Sequence, residues 1–255
     1  MIPKKLKWAG RNIDKDLVRS RIWHKLVDEK VGIGEVFDKI PQFIGAELAA
    51  ERLAASDIWK NSRVIKCNPD TAHIAVRLRA LQDGKTLYVP VPELVREQPY
   101  LELIPEALKE AGIPFSNVVD KDGALKHGRA VNFEEMRPLD LVHVGCVAAS
   151  PSGGRAGKGG GFGDLELGIF RELGIVSPLT PIVTCIHDIQ LVEDADVPLQ
   201  PHDSIITVIF TPTQTIVPSG ALAQPTGVDW RKILPEQYRD IPFLNRLREK
   251  LEKSR

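Results

Sequence analysis

The chain has 255 residues, of which 43% are hydrophobic and 27% are charged. This length and composition exclude a disulfide-stapled miniprotein and are typical of a globular protein that buries a sizeable core. The 34 basic and 34 acidic side chains cancel, which argues against a protein that binds polyanions over its whole surface. Residues 1–30 alone carry nine Lys or Arg against four acidic side chains, an excess of +5 that indicates a local anion-facing surface.

Helical and extended patterns alternate along the N-terminal half. Apolar residues recur at helical spacing over 14–29 behind a candidate N-cap at Asp14, which predicts an amphipathic helix with a basic outer face. The further expected elements are helices over 45–56, 70–82 and 106–111 and strands over 63–67 and 86–91. This alternation is typical of parallel α/β structure.

The second half repeats the alternation. Residues 140–149 are nearly all apolar, which predicts a central strand covered on both faces. A glycine-rich loop over 150–163 follows, and then a helical pattern to about Gly174. The remaining expected elements are strands over 181–186, 205–210 and 213–217 and a helical tail over 235–255. We therefore predict one domain over 1–255 with a three-layer α/β fold. Its doubly wound, mostly parallel, Rossmann-like sheet is expected to have six or seven strands and helices on both faces.

Cysteine usage and hydropathy indicate the compartment. Cys67, Cys146 and Cys185 are far apart, have no metal-ligand spacing and lie in apolar stretches, so we expect buried thiols in a reducing cytoplasm. The longest uncharged run, 204–228, is interrupted by prolines. The sequence therefore predicts a cytoplasmic protein with no membrane-spanning or targeting segment.

The glycine-rich loop is the most informative stretch for function. Glycine lets successive backbone N–H groups turn toward one anion, and the following helix adds its positive N-terminal end. Arg155 and Lys158 supply mobile positive charge for phosphate oxygens, and Asp164 is placed to hold a magnesium ion that bridges those oxygens. The loop is neither a P-loop nor a dinucleotide fingerprint. The residues alone fit a solvent loop with a capping Asp164 equally well.

Histidines elsewhere in the chain offer weaker candidates for chemistry. His187 and Asp188, like His202 and Asp203, are adjacent in sequence, and neighbours in an extended chain point in opposite directions. We therefore expect structural hydrogen bonds from these pairs rather than catalysis or metal binding. His143 lies within an apolar strand pattern and is interpreted as a core histidine with its hydrogen bonds satisfied.

Three separated segments resemble one known family. Residues 155–164, Arg-Ala-Gly-Lys-Gly-Gly-Gly-Phe-Gly-Asp, resemble the Arg-Leu-Gly-x-Gly-x-Gly-Tyr-Tyr-Asp signature of 5-formyltetrahydrofolate cyclo-ligase, also called methenyltetrahydrofolate synthetase. Residues 198–212 resemble that family's Leu-Pro-x-x-x-His-Asp segment and the strand after it. Lys15, Arg19 and Ile22 match the pattern of its first helix. The segments most similar to one branch, the methenyltetrahydrofolate synthetase domain-containing proteins, are 157–166, 184–188 and 225–230.

The resemblance implies a reaction and a set of site residues. Members use ATP and Mg2+ to phosphorylate the formyl oxygen of 5-formyltetrahydrofolate and to form 5,10-methenyltetrahydrofolate. On this chain it implies catalytic roles for Arg155 and Lys158 and a magnesium ligand at Asp164. The nucleotide-binding residues that it implies are Lys15, Arg19, Gly157, Lys158, Gly159, Gly160, Gly161 and Phe162. The expected partners are ATP and a reduced formyl-folate or a related formyl-pterin.

Two departures from the family pattern keep other hypotheses open. Phe162 and Gly163 stand where the family has two tyrosines, and residues 89–97 contain no unambiguous counterpart of its folate-contacting glutamate. The main alternative is a non-catalytic member that binds a nucleotide or RNA and has lost the folate site. Another is a sugar-phosphate or acyl-CoA enzyme on the same architecture, which requires a strand-end Glu nucleophile or an Asp/Lys proton-transfer set that we do not identify.

Overall fold

A mixed sheet of eight strands forms the centre of the computed structural model, which describes residues 14–91, 94, 96–218 and 223–253. Its strands are β3 (Val64–Cys67), β4 (Thr86–Pro90), β5 (Tyr100–Leu103), β6 (Arg129–Val131), β7 (Leu141–His143), β10 (Ile182–Cys185), β11 (Val208–Phe210) and β12 (Thr215–Ile216). Two short antiparallel pairs lie outside this sheet: β1 (Gly32–Ile33) with β2 (Gln42–Phe43), and β8 (Ala148–Ala149) with β9 (Arg155–Ala156).

Later strands are added to the sheet on both sides of the central pair β3 and β7. The strand order is β12-β11-β10-β7-β3-β4-β5-β6, and the five strands from β11 to β4 run parallel. β12 and β5 pair antiparallel with their neighbours, and so does β6 with β5. Because the chain winds outward from β3 and β7 in two directions, a crevice is expected at the carboxyl ends of these two strands, where open α/β sheets bind ligands.

Helices cover both faces of the sheet. They are α1 (Asp14–Asp28), α2 (Ala46–Ala55), α3 (Asp57–Lys60), α4 (Ile74–Gln82), α5 (Pro105–Glu110), α6 (Lys121–His127), α7 (Phe162–Glu172), α8 (Pro235–Asp240) and α9 (Pro242–Lys253). Successive strand residues point to opposite faces. Ile65 and Leu87 pack in a buried cluster with α1, α2 and α4, whereas Val64 and Tyr88 pack in a second cluster with α7 and α9. The predicted three-layer α/β class is therefore confirmed. Among the described residues, no helix has the length and apolar character needed to cross a bilayer.

The structure corrects several predicted elements. The strand predicted over 140–149 is wrong, because only Leu141–His143 joins the sheet and the chain then leaves it through Gly145. The antiparallel strands β5 and β6 were not predicted, so the sheet has eight strands rather than six or seven. The tail over 235–255 is two helices that meet at Ile241, since Pro242 starts α9 and cannot donate a backbone hydrogen bond to α8. Residues 254–255 lie outside the described residues.

A buried ion pair ties the central strand β3 to α7. The Lys66 side chain is fully buried, and its ammonium group donates to the carboxylate of Glu166 and, at 2.5 Å, to Oδ1 of Asn68. The hydroxyl of Tyr100 on β5 donates to the other oxygen of Glu166. Burial, reinforced by that carboxylate, raises the pKa of Tyr100 well above its ordinary value, so the hydroxyl keeps its proton. Glu166 thus links two strands and a helix through one carboxylate.

We expect Glu166→Gln to lower the free energy of unfolding by about 3–5 kcal/mol, because Lys66 would keep a buried charge without its charged partner. Glutamine has nearly the same size as glutamate and keeps an acceptor for Tyr100, so the loss of stability reflects the removed negative charge. Urea unfolding measures this change in the free energy of unfolding. The matched control is Glu252→Gln, which removes an exposed pair with Arg248 on α9 and should cost no more than about 0.5 kcal/mol. Equally small losses in both variants would contradict the account.

Candidate functional site

The glycine-rich loop lies at the carboxyl ends of the parallel strands and leads into α7. Lys158 reaches across to Asp70, which follows β3, with 3.4 Å between Nζ and Oδ1. Gly159 and Gly161 have φ angles of +104° and +70°, a backbone conformation that glycine adopts without a Cβ clash. Gly161 is the N-cap of α7, so the loop delivers the chain directly to the positive end of that helix.

Helix α1 contacts this loop through Arg19 and the segment before β11 through Lys15. Nε of Arg19 donates to the carbonyl oxygen of Gly157 at 2.6 Å, and Nη1 contacts Oδ1 of Asp16 at 2.7 Å. Lys15 Nζ donates to Oδ2 of Asp203 at 2.6 Å, and both side chains are buried. The structure therefore brings the N-terminal helix, the loop and the segment before β11 together. Lys4, Lys5, Lys7 and Arg11, which contribute to the basic N-terminus, lie outside the described residues.

Arg155 and Asp164 form an ion pair at the base of the loop. Nη2 of Arg155 is 2.7 Å from Oδ2 of Asp164, and the backbone N–H of Ser204 donates to Oδ1 at 2.9 Å. Burial by itself would raise the pKa of Asp164, but the charge of Arg155 and the Ser204 hydrogen bond outweigh it and lower the pKa below its ordinary value. The Arg155 side chain is only 6% exposed, so it is not the mobile surface charge that the sequence predicted.

Gly163 makes room for this ion pair. A Cβ built at position 163 would lie 2.8 Å from Nη2 of Arg155. The guanidinium of Arg155 therefore occupies the space in which a larger side chain at position 163 would start. This contact gives a physical reason for a glycine where the resembled signature has tyrosine.

Each of the four predicted cations has an aspartate partner. Lys15 pairs with Asp203, Arg19 with Asp16, Arg155 with Asp164 and Lys158 with Asp70. Sequence reasoning did not identify Asp16 or Asp70 as site residues and interpreted Asp203 as structural. The local charge is therefore balanced, and an anion that enters the site competes with carboxylates for the cations.

The donors and acceptors present fit a phosphate group with a divalent cation. Nε of Arg155 is buried and has no hydrogen-bond partner within the described ranges, so it can donate to an incoming acceptor. The first N–H groups of α7 have no intrahelical acceptor and face the loop end. Each oxygen of Asp164 accepts one contact and keeps a lone pair, and Mg2+ is commonly held by one or two carboxylates together with phosphate oxygens and water.

The His187–Asp188 pair makes the structural hydrogen bonds that we expected. His202 does not, because its buried Nδ1 has no hydrogen-bond partner in the described residues. Oδ1 of Asp188 accepts hydrogen bonds from the hydroxyls of Thr211 and Thr213, both at 2.5 Å, and so fixes the turn between β11 and β12. Nδ1 of His187 accepts from the backbone N–H of Ile189. Asp203 accepts a hydrogen bond from the backbone N–H of Gln200 as expected, but it also binds Lys15 of α1 and thereby belongs to the site.

The interpretation of His143 as a satisfied core histidine is wrong. It is buried as expected, but its Nε2 has no hydrogen-bond partner in the described part of the chain. The neighbouring ring of His73 has no partner there for either nitrogen. Burial is the main cause that lowers the pKa of both histidines well below the ordinary value, so both rings are neutral.

A surface concavity of about 550 Å³ lies at the opposite end of the sheet. It is lined by residues that precede β3, β7 and β10, among them Ser62, Asp140 and Pro181. Open α/β sheets bind their ligands at the carboxyl ends of the strands rather than at this end. The charged cluster around the glycine-rich loop is therefore the better candidate site.

Comparison with known proteins gives consistent results. The model of the 5-formyltetrahydrofolate cyclo-ligase family matches residues 15–212. The chain is 33% identical over 244 residues to the methenyltetrahydrofolate synthase domain-containing protein of Bos taurus, covering 95% of this chain and 64% of that protein. It is 34% identical over 240 residues to the Mus musculus protein of the same name, covering 93% of this chain and 64% of the relative. The chain thus spans less than two thirds of the length of these relatives.

A solved structure supports the fold. The fold of the chain resembles that of the 5,10-methenyltetrahydrofolate synthetase of Aquifex aeolicus with a TM-score of 0.51 at 17% sequence identity. The match covers 82% of this chain and 95% of the other. At this identity the likeness concerns the α/β architecture.

We expect Asp164→Asn to lower the free energy of unfolding at pH 7 by about 3 kcal/mol, because Arg155 stays charged and buried without its partner. The pKa of Asp164 is lowered in the folded state. The ionised Asp164 carboxylate therefore contributes fully to the free energy of unfolding above the ordinary carboxyl pKa near 3.8. This contribution is lost as the pH falls through the lower pKa that Asp164 has in the folded protein. Urea unfolding of both proteins at pH 7 and at about pH 3 should show a difference that shrinks in acid.

The control for this pH series is Asp57→Asn, whose carboxyl is 93% exposed beside Lys60. It should change stability by less than about 0.5 kcal/mol at either pH. A stability loss in Asp164→Asn that is the same at both pH values would show that the ion pair is not its cause.

Proposed function

The chain belongs to the 5-formyltetrahydrofolate cyclo-ligase family, and we propose that it binds ATP with Mg2+ at the glycine-rich loop and acts as a cyclo-ligase on 5-formyltetrahydrofolate or a related reduced formyl-pterin. One observation carries the proposal. Arg19 on α1 donates to the Gly157 carbonyl of the glycine-rich loop. Lys15 on the same helix pairs with Asp203, whose neighbour Ser204 donates to Asp164 in the first turn of α7. Converging cations, glycine N–H groups and a helix N-terminus form an arrangement suited to phosphate oxygens.

The residues divide into nucleotide binding and charge stabilisation. Arg19 positions the loop through its hydrogen bond to the Gly157 carbonyl. Lys158 is 49% exposed, and its one ion pair within the described residues is a long contact to Asp70, so it can turn toward a phosphate. The proposed nucleotide-binding set is Lys15, Arg19, Gly157, Lys158, Gly159, Gly160, Gly161 and Phe162, with Arg155 and Lys158 as catalytic residues and Asp164 as magnesium ligand.

The reaction requires positioning and charge neutralisation rather than a protein nucleophile. ATP supplies the phosphoryl group that turns the formyl oxygen into a leaving group, and Mg2+ offsets the phosphate charge. The net reaction joins N10 to the formyl carbon and releases the formyl oxygen as inorganic phosphate. Arg155 and Lys158 would stabilise the charge that develops on the transferred group. Because Arg155 is also paired with Asp164, it holds the proposed magnesium ligand in one orientation.

A second candidate function is nucleotide binding without turnover. Phe162 has no hydroxyl, and the space at Gly163 is filled by the Arg155 guanidinium, so neither tyrosine hydroxyl of the resembled signature has a counterpart. Neither the comparisons nor the described residues support RNA as a partner. We place either activity in the reducing cytoplasm, because Cys67, Cys146 and Cys185 are buried free thiols.

We expect Lys158→Ala to weaken the binding of ATP–Mg2+ by about 10- to 100-fold, which corresponds to the loss of one charged hydrogen bond to a phosphate. The side chain is half exposed, so the variant should fold normally. Isothermal titration measures the dissociation constant. Lys126→Ala, which removes an exposed lysine on α6, is the matched control and should bind like the wild type. Equal affinities in both variants would exclude Lys158 from the site.

Turnover separates the two candidate functions. We expect the wild-type chain to release phosphate from ATP and to form the 5,10-methenyl product only when both ATP–Mg2+ and 5-formyltetrahydrofolate are present. ATP binding without product from any reduced formyl-pterin would favour the non-catalytic function. Absence of both binding and product would contradict both candidates.

A further inference from the structure

Three buried metal-ligating side chains converge where the sheet changes direction. Cys67 is the last residue of β3, and His143, its partner in the parallel register, is the last residue of β7. His73 lies in the 3-10 turn that follows β3, and its ring meets that of His143 edge to face with the centroids 4.5 Å apart. This group, the Cys67–His73–His143 cluster, is not used by the proposed reaction.

The distances in the cluster match those between ligands of one metal ion. Sγ of Cys67 and one ring nitrogen of each histidine all lie within 4.8 Å of one another. Sγ is 3.6 Å from Nδ1 of His143. Zinc–sulfur and zinc–nitrogen bonds of about 2.3 Å and 2.0–2.1 Å at a tetrahedral angle place the two ligand atoms about 3.6 Å apart. These two side chains therefore already have the spacing of zinc ligands.

Unpartnered nitrogens give an independent reason to expect a ligand here. His73, His143 and Cys67 have no solvent exposure. Both nitrogens of His73 and Nε2 of His143 find no hydrogen-bond partner in any segment that the structure describes. Buried side-chain nitrogens are nearly always paired, so the His73 ring indicates a missing partner. An ion bound by one of its nitrogens and by Nδ1 of His143, the nitrogen beside Sγ, would supply that partner. Two imidazoles with a thiol are a donor set that suits zinc.

Packing holds the His73 ring in place. A Cβ at Gly145 would lie 2.6 Å from Cε1 of His73 and 3.0 Å from the side chain of Ile40. The glycine therefore leaves the space that the ring needs as the chain passes β7. A ligand held by surrounding packing loses little freedom when a metal binds.

The cations near the cluster are held by other groups, although Nη2 of Arg77 has no hydrogen-bond partner among the described residues. Lys66 contacts Glu166 and Asn68. Arg77 donates to the backbone carbonyls of Asn68, Asp70 and Val119. A thiolate at Cys67 would add the negative charge that a bound divalent ion requires.

We propose that Cys67, His73 and His143 bind a zinc ion at the junction of β3 and β7, with a water molecule in the fourth position. The ion would fix the segment from Asn68 to His73, which carries Asp70, the partner of Lys158 in the glycine-rich loop. Because the ligands are buried, the chain would take up zinc as it folds.

Metal analysis of the full chain tests this proposal. We expect a single zinc ion per chain after the chain has been unfolded and refolded in the presence of Zn2+ and the excess has been removed. With Co2+ in place of Zn2+, a thiolate-to-cobalt charge-transfer band should appear in the near ultraviolet. Cys67→Ser should abolish that band, and Cys67→Ser and His143→Asn should each weaken zinc binding by more than about 100-fold, beyond the usual effect of an outer-shell change. No nucleotide is present, so the result is independent of the proposed reaction.

Cys146→Ser is the matched control, because Cys146 is equally buried but contacts Thr184 instead of the cluster. It should keep the cobalt band and the zinc ion. Zinc should also raise the melting temperature of the wild type and of this control but not that of Cys67→Ser. If Cys67→Ser does not fold, as judged by circular dichroism, the wild-type cobalt spectrum decides. No thiolate band in the wild type, or an undiminished band in a folded Cys67→Ser, would overturn the proposal.

Discussion

The ion pair between Arg155 and Asp164 is the contact on which the candidate site depends. It joins β9, which lies within the glycine-rich loop, to the first turn of α7, and so fixes both ends of the glycine run between them. Gly163 leaves room for this pair, because a Cβ at position 163 would displace the guanidinium. The Ser204 backbone N–H extends the contact to the segment before β11. A single buried charge pair thus holds three parts of the chain in register around the loop.

Charge balance gives the site a second constraint. Four cations and four aspartates interleave, so the fold is not strained by a cluster of like charges before a ligand arrives. A polyphosphate can bind these cations only if the negative charge of the aspartates that they release is neutralised. A magnesium ion bound with the nucleotide would contribute positive charge toward that compensation, which connects the proposed use of ATP–Mg2+ with the observed ion pairs.

Sequence reasoning succeeded where the signal was local. The amphipathic pattern behind α1, the buried runs of the parallel strands and the glycines before α7 all depend on neighbours within one element. It failed where pairing partners lie far apart: nothing near Asp70 or Asp203 in sequence reveals Lys158 or Lys15 as partners. The run over 140–149 looked like one strand because residues that leave the sheet at Gly145 are as buried as those within it. His143 was misinterpreted for the same reason, since periodicity reports burial and not hydrogen bonding.

We propose that the glycine-rich loop binds the phosphates of a nucleotide. Backbone amide NMR of the labelled chain during titration with ATP–Mg2+ tests it most directly, because each loop glycine has its own N–H signal. We expect large, saturable chemical-shift changes for the backbone amides of residues 157–164 and unchanged signals along α9. Saturation of the protein without shifts in residues 157–164, or with shifts confined to another surface, would contradict it.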